Sequence, residues 1–169
     1  MKKFLMILVA AVALSFSAQQ SNAQGALGLR LGGGGYGVGG EISYLTAMDA
    51  NRWEFDLGFG AGHNWIHLGF TAAYQWDWNI VAGLNWFVGP AAQANFAYGK
   101  IDDYTTGPDF GLGIGGQIGL EYDFNDLGAP IQLSLDTRPM WQLYFNKHYY
   151  GGGWCGFGWG VCLGIRYTF

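Results

Sequence analysis

The sequence predicts an all-β protein, a single eight-stranded antiparallel up-and-down transmembrane β-barrel. Three observations carry this prediction. From residue 25 onward, apolar residues alternate with polar or small ones in eight segments, which is the period of β-strands. Short and long connections alternate between these segments. The chain has only 12% charged residues, whereas soluble domains carry about 25%, and 18% of its residues are aromatic.

Residues 1–23 are predicted to be a cleaved signal peptide, and residues 24–169 to form the barrel domain. Lys2 and Lys3 precede an apolar stretch at residues 4–14, and small residues at 21–23 provide a cleavage site. The stretch is too short to span a membrane as a helix, and no later segment runs apolar for about 18 residues. The length of the remaining chain suggests one domain.

Charge and aromatic placement narrow the class of protein. Without Lys2 and Lys3 the chain has 6 basic and 12 acidic residues, so no nucleic-acid partner is expected. Low charge without a helical span leaves two interpretations, a soluble β-sandwich and a membrane barrel. Aromatic residues beside the short turns favour the barrel, because their rings prefer the lipid–water boundary. They are Trp53, Tyr74, Trp76, Trp78, Tyr122, Phe124, Tyr167 and Phe169.

The connections indicate which rim of the barrel is which. Short turns are predicted at residues 49–51, 77–79 and 125–128, and longer loops at 100–109 and 146–156. Short turns on one rim and long loops on the other are typical of outer-membrane barrels. Gly89-Pro90 interrupts the fifth segment. We predict one strand with a kink there, because two strands would give an odd total.

If the apolar faces point into lipid, the alternation turns ten charged side chains into the barrel. An eight-stranded barrel is just wide enough for side chains to fill it, so opposite charges can pair inside. Inward glycines such as Gly113 and Gly164 leave room for the long side chains. A closed structural plug is the main interpretation, and a narrow polar conduit or a luminal active site are the alternatives. The predicted lumen network comprises Arg30, Glu41, Arg52, Glu54, Asp56, Glu121, Asp123, Asp136, Arg138 and Arg166.

No metal, cofactor or catalytic residue is predicted. The glycine pattern G-x-G-x-x-G at residues 32–37 precedes a strand rather than a helix, so we interpret it as a hairpin loop. His63 and His67 lack a third ligand, and the aspartates at residues 102–109 fit a solvated loop. The serines Ser43 and Ser134 lie mid-strand, away from any histidine, so hydrolase chemistry is not supported.

Two features near the chain end leave alternatives open. Seven extended residues separate Cys155 from Cys162 by about 23 Å, so a disulfide requires the glycine-rich segment to fold back on the last strand. Two interpretations therefore remain, a disulfide between the two cysteines and a pair of free thiols. Tyr149, Tyr150 and Trp154 form a candidate patch for a partner, or they belong to an aromatic girdle at the outer rim.

The chain ends on apolar or aromatic residues in strict alternation, which we predict to be a C-terminal insertion signature: Val161, Leu163, Ile165, Tyr167 and Phe169. With the signal peptide and the eight strands, this ending resembles the small outer-membrane β-barrels of the OmpA/OmpX type. Segments 113–122 and 130–140, with Arg138-Pro139, are similar to the porin-family barrels of Bacteroidetes. The resemblance implies a Gram-negative outer-membrane location, contact with outer-membrane lipid and insertion by the barrel-assembly machinery. Full OmpA-like proteins carry a peptidoglycan-binding domain after the barrel, so wall tethering is not expected of this chain.

The function predicted is that of a non-enzymatic integral outer-membrane protein with a structural, loop-presenting or complex-subunit role. Other outer-membrane proteins or an extracellular molecule would then be its partners. The alternatives are a narrow pore for ions or small solutes, and an outer-membrane enzyme. Barrel folds host many roles, so this prediction depends on resemblance more than on chemistry.

Overall fold

The structure, a computed structural model, describes residues 25–34, 37–48, 51–61, 65–101, 104–145 and 154–169. Residues 1–24, which contain the predicted signal peptide, lie outside this part of the chain. Within the described ranges, no helix combines the length and the apolar character needed to cross a membrane.

The described residues form ten β-segments and one 3₁₀ turn, the latter at Asn125–Leu127. The alternating sequence explains the segments, because successive strand residues point to opposite faces of a sheet. The segments are β1 (Ala26–Gly34), β2 (Gly37–Met48), β3 (Asn51–Ala61), β4 (Trp65–Val81), β5 (Leu84–Ile101), β6 (Tyr104–Asp123), β7 (Ile131–Thr137), β8 (Met140–Phe145), β9 (Trp154–Gly158) and β10 (Val161–Thr168).

The ten segments make eight barrel strands. β7 and β8 pair with β6 in one continuous register, so together they form one barrel strand. On their other side, β10 pairs with β7 and β9 pairs with β8, again in one register, so β9 and β10 form the last barrel strand. The gap between β7 and β8 falls at Arg138 and Pro139, because proline has no N–H to donate to the ladder. Gly116 N–H still donates to the Pro139 carbonyl at 3.0 Å, and Arg138 N–H donates to the Gly160 carbonyl at 3.3 Å.

The sheet closes on itself because β1 pairs with β10, and all its pairings are antiparallel. The strands are staggered around the cylinder. Following paired residues from Gly28 around the barrel leads to Gly156, whereas Gly28 itself pairs with Arg166, ten residues further on. Eight strands with such a stagger enclose an interior that side chains can fill. The predicted fold is therefore confirmed.

The outer wall is apolar and the inner wall is polar. In β10 the side chains of Val161, Leu163, Ile165 and Tyr167 are 50 to 59% exposed on the outside. Their neighbours at residues 164, 166 and 168 are buried. Phe169, the last residue of the predicted insertion signature, is half-buried, and its backbone exchanges two hydrogen bonds with residue 25. The remaining four side chains lie on the outer face, as the alternation predicts.

The turn between β4 and β5 differs from the prediction. Asp and Asn at residues 77–79 favour turns, but the structure continues β4 to Val81 and turns at Ala82 and Gly83. These two residues have φ of 32° and 82°, and positive φ at both central positions suits the twist of a tight hairpin. The predicted turn residues are instead paired with β5, where the rings of Trp78 and Trp86 stack at 4.6 Å.

β5 is one continuous strand, as predicted, and its register against β6 does not shift at Gly89-Pro90. Two rungs of the ladder with β4 are missing opposite these residues. Gly89 approaches β4 so closely that a Cβ atom would lie 1.7 Å from the Tyr74 carbonyl oxygen. The loop predicted at residues 100–109 is mostly strand, since β5 ends at residue 101 and β6 begins at 104.

The inverted wall predicts different tolerance at adjacent positions of β6. Ile118 is 44% exposed on the outer face, whereas Gln117 is 1% exposed and contacts Glu54 and Asp136 inside. We expect Ile118→Arg to cost about 2–4 kcal/mol of folding free energy in bilayers, because it places a charge in hydrocarbon. Gln117→Arg is expected to cost less, since two carboxylates face it. Urea unfolding in lipid vesicles measures both, and equal losses would contradict the assigned faces.

Two glycines with positive φ provide a matched pair that tests the hairpin between β4 and β5. Gly83 lies in that hairpin, and Gly128 follows the 3₁₀ turn between β6 and β7. Gly128 has a φ of 80° and open space where a Cβ would lie, so Gly128→Ala is expected to cost about 1 kcal/mol for backbone strain alone. At Gly83 a Cβ would also lie 2.5 Å from the Asp123 carbonyl oxygen, so Gly83→Ala is expected to cost more. The difference between the two unfolding free energies is the test, and a larger loss at Gly128 would refute it.

Candidate functional site

The closed barrel encloses a polar interior instead of an apolar core. Its buried apolar residues are few and include Phe87 and Met140. We define the lumen network as the four guanidinium groups and five carboxyl groups that meet in this interior. Its members are Arg30, Arg52, Arg138 and Arg166 with Glu41, Glu54, Asp56, Glu121 and Asp136.

Strand register brings the first members of the network together. Arg30 on β1 is the direct cross-strand partner of Glu41 on β2, and Asp56 on β3 is opposite Ser43 on β2. Inward residues two apart on one strand, such as Glu54 and Asp56, then lie above one another along the lumen. The charges are therefore stacked in levels from the short-turn rim to the external side.

Arg30 is the hub of the network and has no exposed surface. Its guanidinium group donates to Glu41 at 2.7 Å and to Asp56 at 3.1 Å. It also donates to both carboxylate oxygens of Asp136, at 2.5 and 2.6 Å. Its Nε lies 3.5 Å from Glu54. One side chain thus ties β1 to β2, β3 and β7 through charge-assisted hydrogen bonds.

Glu54 is the central anion and is also fully buried. One of its oxygens accepts hydrogen bonds from Arg138, at 3.2 Å, and from Arg166. The other oxygen accepts from Gln75 and from Gln117, the latter at 3.0 Å. A buried carboxylate is costly unless it is paired and hydrogen-bonded, and Glu54 satisfies both conditions.

Arg138 gives the interruption between β7 and β8 a second role. Its side chain enters the lumen and donates to Glu41 at 3.2 Å and to Asp56. The ladder gap at Pro139 therefore lies beside a residue that joins this wall to β2 and β3. The alternation of the sequence predicts Arg138 inside the lumen, and the structure shows which carboxylates it contacts.

Arg52 organises the end of the lumen near the short turns. It forms a two-bond pair with Glu121, at 2.7 and 2.8 Å, and donates to Gln75 at 2.7 Å. The carbon at the centre of its guanidinium group lies 5.1 Å from the centre of the Phe87 ring. The planar group is thus held by hydrogen bonds at its edge and by a cation–π contact on its face.

An uncharged layer covers the network on the external side. Asn95 donates to Gln93 at 3.2 Å and to Gln142 at 3.1 Å, and Gln142 donates to Gln93 at 2.7 Å. Gln93 in turn donates to Thr71 at 3.2 Å, and His67 lies 3.3 Å from Asn95. This amide layer was not predicted, because the lumen network was predicted from charged residues alone, although the same alternation places these amides inside.

Inward glycines give the long side chains room along the wall. A Cβ on Gly164 would lie 3.2 Å from Cγ of Arg30 and 2.4 Å from the hydroxyl of Ser134. A Cβ on Gly113 would lie 2.7 Å from the carbonyl oxygen of the Gln142 side chain. These side chains therefore lie flat over glycines of neighbouring strands and reach across the lumen.

The structure brings together nine of the ten residues predicted for the lumen network. Asp123 does not join them. It is the last residue of β6, and its carboxylate accepts a hydrogen bond from the Asn125 backbone N–H at 2.9 Å. Because β6 ends at Asp123, the carboxylate of this residue bonds to the following turn instead of joining the lumen network.

The structure describes some of the other predicted positions only in part. Tyr149, Tyr150 and His63, and the side chain of Trp154, lie outside the described residues. Cys162 is half-buried, and no disulfide partner is present among the described side chains. The fold-back that a bridge requires does not occur, because β9 and β10 lie in line along one barrel strand. In the described ranges, no group of three or more His, Cys, Asp or Glu is placed to hold a metal ion.

No protein-family model matches the sequence, and no curated protein matches it significantly. Solved structures do match it. Neisserial surface protein A aligns with a TM-score of 0.52 and 13% identity, over 87% of this chain and 96% of that one. The N-terminal β-barrel domain of Pseudomonas aeruginosa OprF aligns with a TM-score of 0.55 and 14% identity, over 89% and 100%. A major outer membrane protein from Thermus thermophilus aligns with a TM-score of 0.54 and 13% identity, over 88% of this chain and 100% of that one.

The chain has the fold of the small outer-membrane β-barrels. The predicted resemblance to barrels of the OmpA/OmpX type is therefore confirmed at the level of the fold. The predicted location in the bacterial outer membrane agrees with the fold that the chain shares with these proteins. The similarity to the porin-family barrels of Bacteroidetes stays a prediction.

The network predicts that stability depends on Arg30. Arg30→Met removes the donor shared by three carboxylates and is expected to cost about 3–5 kcal/mol, because it leaves buried charge unpaired. Arg30→Lys keeps the charge but loses the planar donor set, so a smaller loss is expected. Urea unfolding in lipid vesicles measures both. A methionine variant as stable as the natural protein would show that the network does not support the fold.

Proposed function

We propose that the protein is a non-enzymatic integral outer-membrane barrel with a closed lumen and a structural role. In this role it presents its external loops or serves as a subunit of a larger membrane complex. The observation that carries the proposal is the complete burial of Arg30 and Glu54 inside the cylinder. Side chains fill the lumen at their level, so the barrel acts as a solid anchor in the membrane.

The contacts of the network support a closed state. Arg30 reaches Asp136 on one wall and Asp56 on another, and Arg138, from the same wall as Asp136, reaches Asp56 and Glu41. An ion passing this level has to separate buried charge pairs, and leaving one partner unpaired costs about 3–5 kcal/mol. The amide layer around Asn95 would have to open as well.

The chemistry of the interior supports a role without catalysis. The hydroxyl of Ser43 donates to Glu54 at 3.2 Å and accepts from Arg166 at 3.0 Å. Ser134 accepts from Arg166 at 3.1 Å. Ser134 faces an arginine, which is not a general base, and Ser43 faces a carboxylate that arginines already hold. Both hydroxyls are buried, so a substrate cannot reach either of them. Neither serine is therefore placed to attack a substrate.

The outer wall supports lipid as the partner of the barrel. Large apolar side chains are exposed all around it, for example Leu57 on β3, Leu112 on β6 and Leu163 on β10. Exposed Trp76 and Trp78 lie near the short-turn end of β4, where a ring of aromatic residues suits the membrane boundary. Insertion by the barrel-assembly machinery follows from such a location. Further partners would bind the external loops, including the region of Tyr149, Tyr150 and Trp154.

Electrical recordings test the closed lumen. We expect the purified protein in planar bilayers to give no steady conductance, because the lumen network fills the cross-section. Glu54→Gln and Arg138→Gln, which each unbalance the network, are expected to produce openings that the natural protein lacks.

Steady openings of the natural protein would contradict the closed lumen. If their ion selectivity then changed in opposite senses in the two variants, the current would pass through the network, and the narrow pore would be the better interpretation. Isolation from native membranes in mild detergent tests the subunit role separately. A lone monomer in repeated preparations would count against membership of a complex.

A further inference from the structure

An apolar groove lies on the outer wall, in the half of the barrel that carries the short turns. Its cavity volume is about 340 Å³. The groove crosses β5, β6, β7 and β10, and the gap in the β7–β8 ladder begins directly beyond Thr137. The outward-facing residues that line it are Trp86, Ile118, Leu120, Leu135, Thr137 and Val161.

The sequence and the register explain why the wall recedes here. Thr137 is paired with Ile118 on β6 and with Val161 on β10. Its side chain is shorter than those of the leucines that occupy the next outward positions, such as Leu135. Larger side chains, such as those of Trp86 and Leu120, thus surround the shorter Thr137 and form the walls of the groove.

The lining of the groove determines what can fill it. Ile118, Leu120 and Val161 are exposed, and the carboxylate of Asp136, which also borders the groove, is turned inward to Arg30. No charged group is therefore presented to the outside. A void in such a wall loses dispersion contacts, and water would lack polar partners in it. A flexible hydrocarbon chain restores the dispersion contacts and needs no polar partner.

A second protein is a poorer occupant than a lipid chain. Stable protein interfaces bury about 800 Å² on each partner, and this groove involves the side chains of only a few residues. The groove is also continuous with the apolar outer wall.

The stacked rings of Trp78 and Trp86 lie between the groove and the hairpin at Ala82-Gly83. Aromatic rings of this kind lie near lipid headgroups, so a chain entering the groove would come from the leaflet at the short-turn rim.

We propose that this groove binds one acyl chain of a phospholipid from the leaflet at the short-turn rim. The inference rests on the proposed insertion of the barrel in a membrane. It adds that one lipid occupies a defined place on the wall, whereas lipids elsewhere exchange freely around it. Shape is the basis of the selection, since the lining offers hydrocarbon contacts and no charge.

Photolabelling tests this proposal on the whole folded protein. The protein is reconstituted in phosphatidylcholine vesicles that contain a trace of a phospholipid with a diazirine in the middle of one acyl chain. After illumination, labelled peptides are mapped by mass spectrometry. We expect labelling at Leu135 and Val161 to exceed labelling at Leu57 on β3 and Phe70 on β4, which lie outside the groove, several-fold.

Three variants separate shape from chemistry. Thr137→Phe fills the groove and is expected to reduce labelling at Val161 several-fold. Thr137→Val keeps the shape and removes the hydroxyl, so labelling is expected to persist. Ala92→Phe adds the same ring elsewhere on the outer wall, and labelling at Val161 is expected to be unchanged. Gel mobility before and after heating shows that each variant is folded.

The outcomes distinguish this proposal from the proposed function. Equal labelling around the wall, unchanged in Thr137→Phe, would overturn the bound chain and leave the membrane barrel intact. Weaker labelling at Val161 than at Leu57 would show that something other than lipid covers the groove, and would also overturn it. No labelling at any position, with the protein recovered outside the vesicles, would overturn membrane insertion itself.

Discussion

The pairing of β1 with β10 is the interaction on which the rest of the barrel depends. In hydrocarbon an unpaired backbone N–H or C=O has no water to bind, so a sheet in a membrane has to close. Closure then gives the sheet an inside and an outside, and the alternation of side chains gives each side its own solvent. The exposed leucines and the buried arginines are two consequences of the same closed ladder.

The interior shows how a small barrel accommodates charge. Each of the four guanidinium groups meets at least one carboxylate, and Arg30 and Glu54 connect strands on different walls. Such a network is not an efficient source of stability compared with apolar packing, but it becomes costly to disrupt once formed. It also fixes the register, because a slip by one residue would turn Arg30 into lipid. The proposed structural plug is thus one that only a closed sheet makes possible.

The prolines show how the barrel tolerates imperfect ladders. Pro139 removes a donor between β7 and β8, and Pro90 lies where two rungs between β4 and β5 are missing. Neither changes the register along β6, because the neighbouring pairs on both sides hold the strands in place. The structural neighbours share this fold at 13 to 14% identity, so the closed geometry depends on the alternation of side chains more than on particular residues.

The sequence by itself determined the fold class, the two faces of each strand and nine of the residues that meet in the lumen, because these depend on a local period of two. The tertiary structure decided which arginine meets which carboxylate, because that depends on the stagger of strands far apart in the chain. It also placed the turn at Ala82 and Gly83, where pairing of Trp78 with Trp86 outweighed the turn preference of Asp77 and its neighbours. The groove beside Thr137 likewise exists only when residues from four strands lie side by side, and no local pattern encodes that.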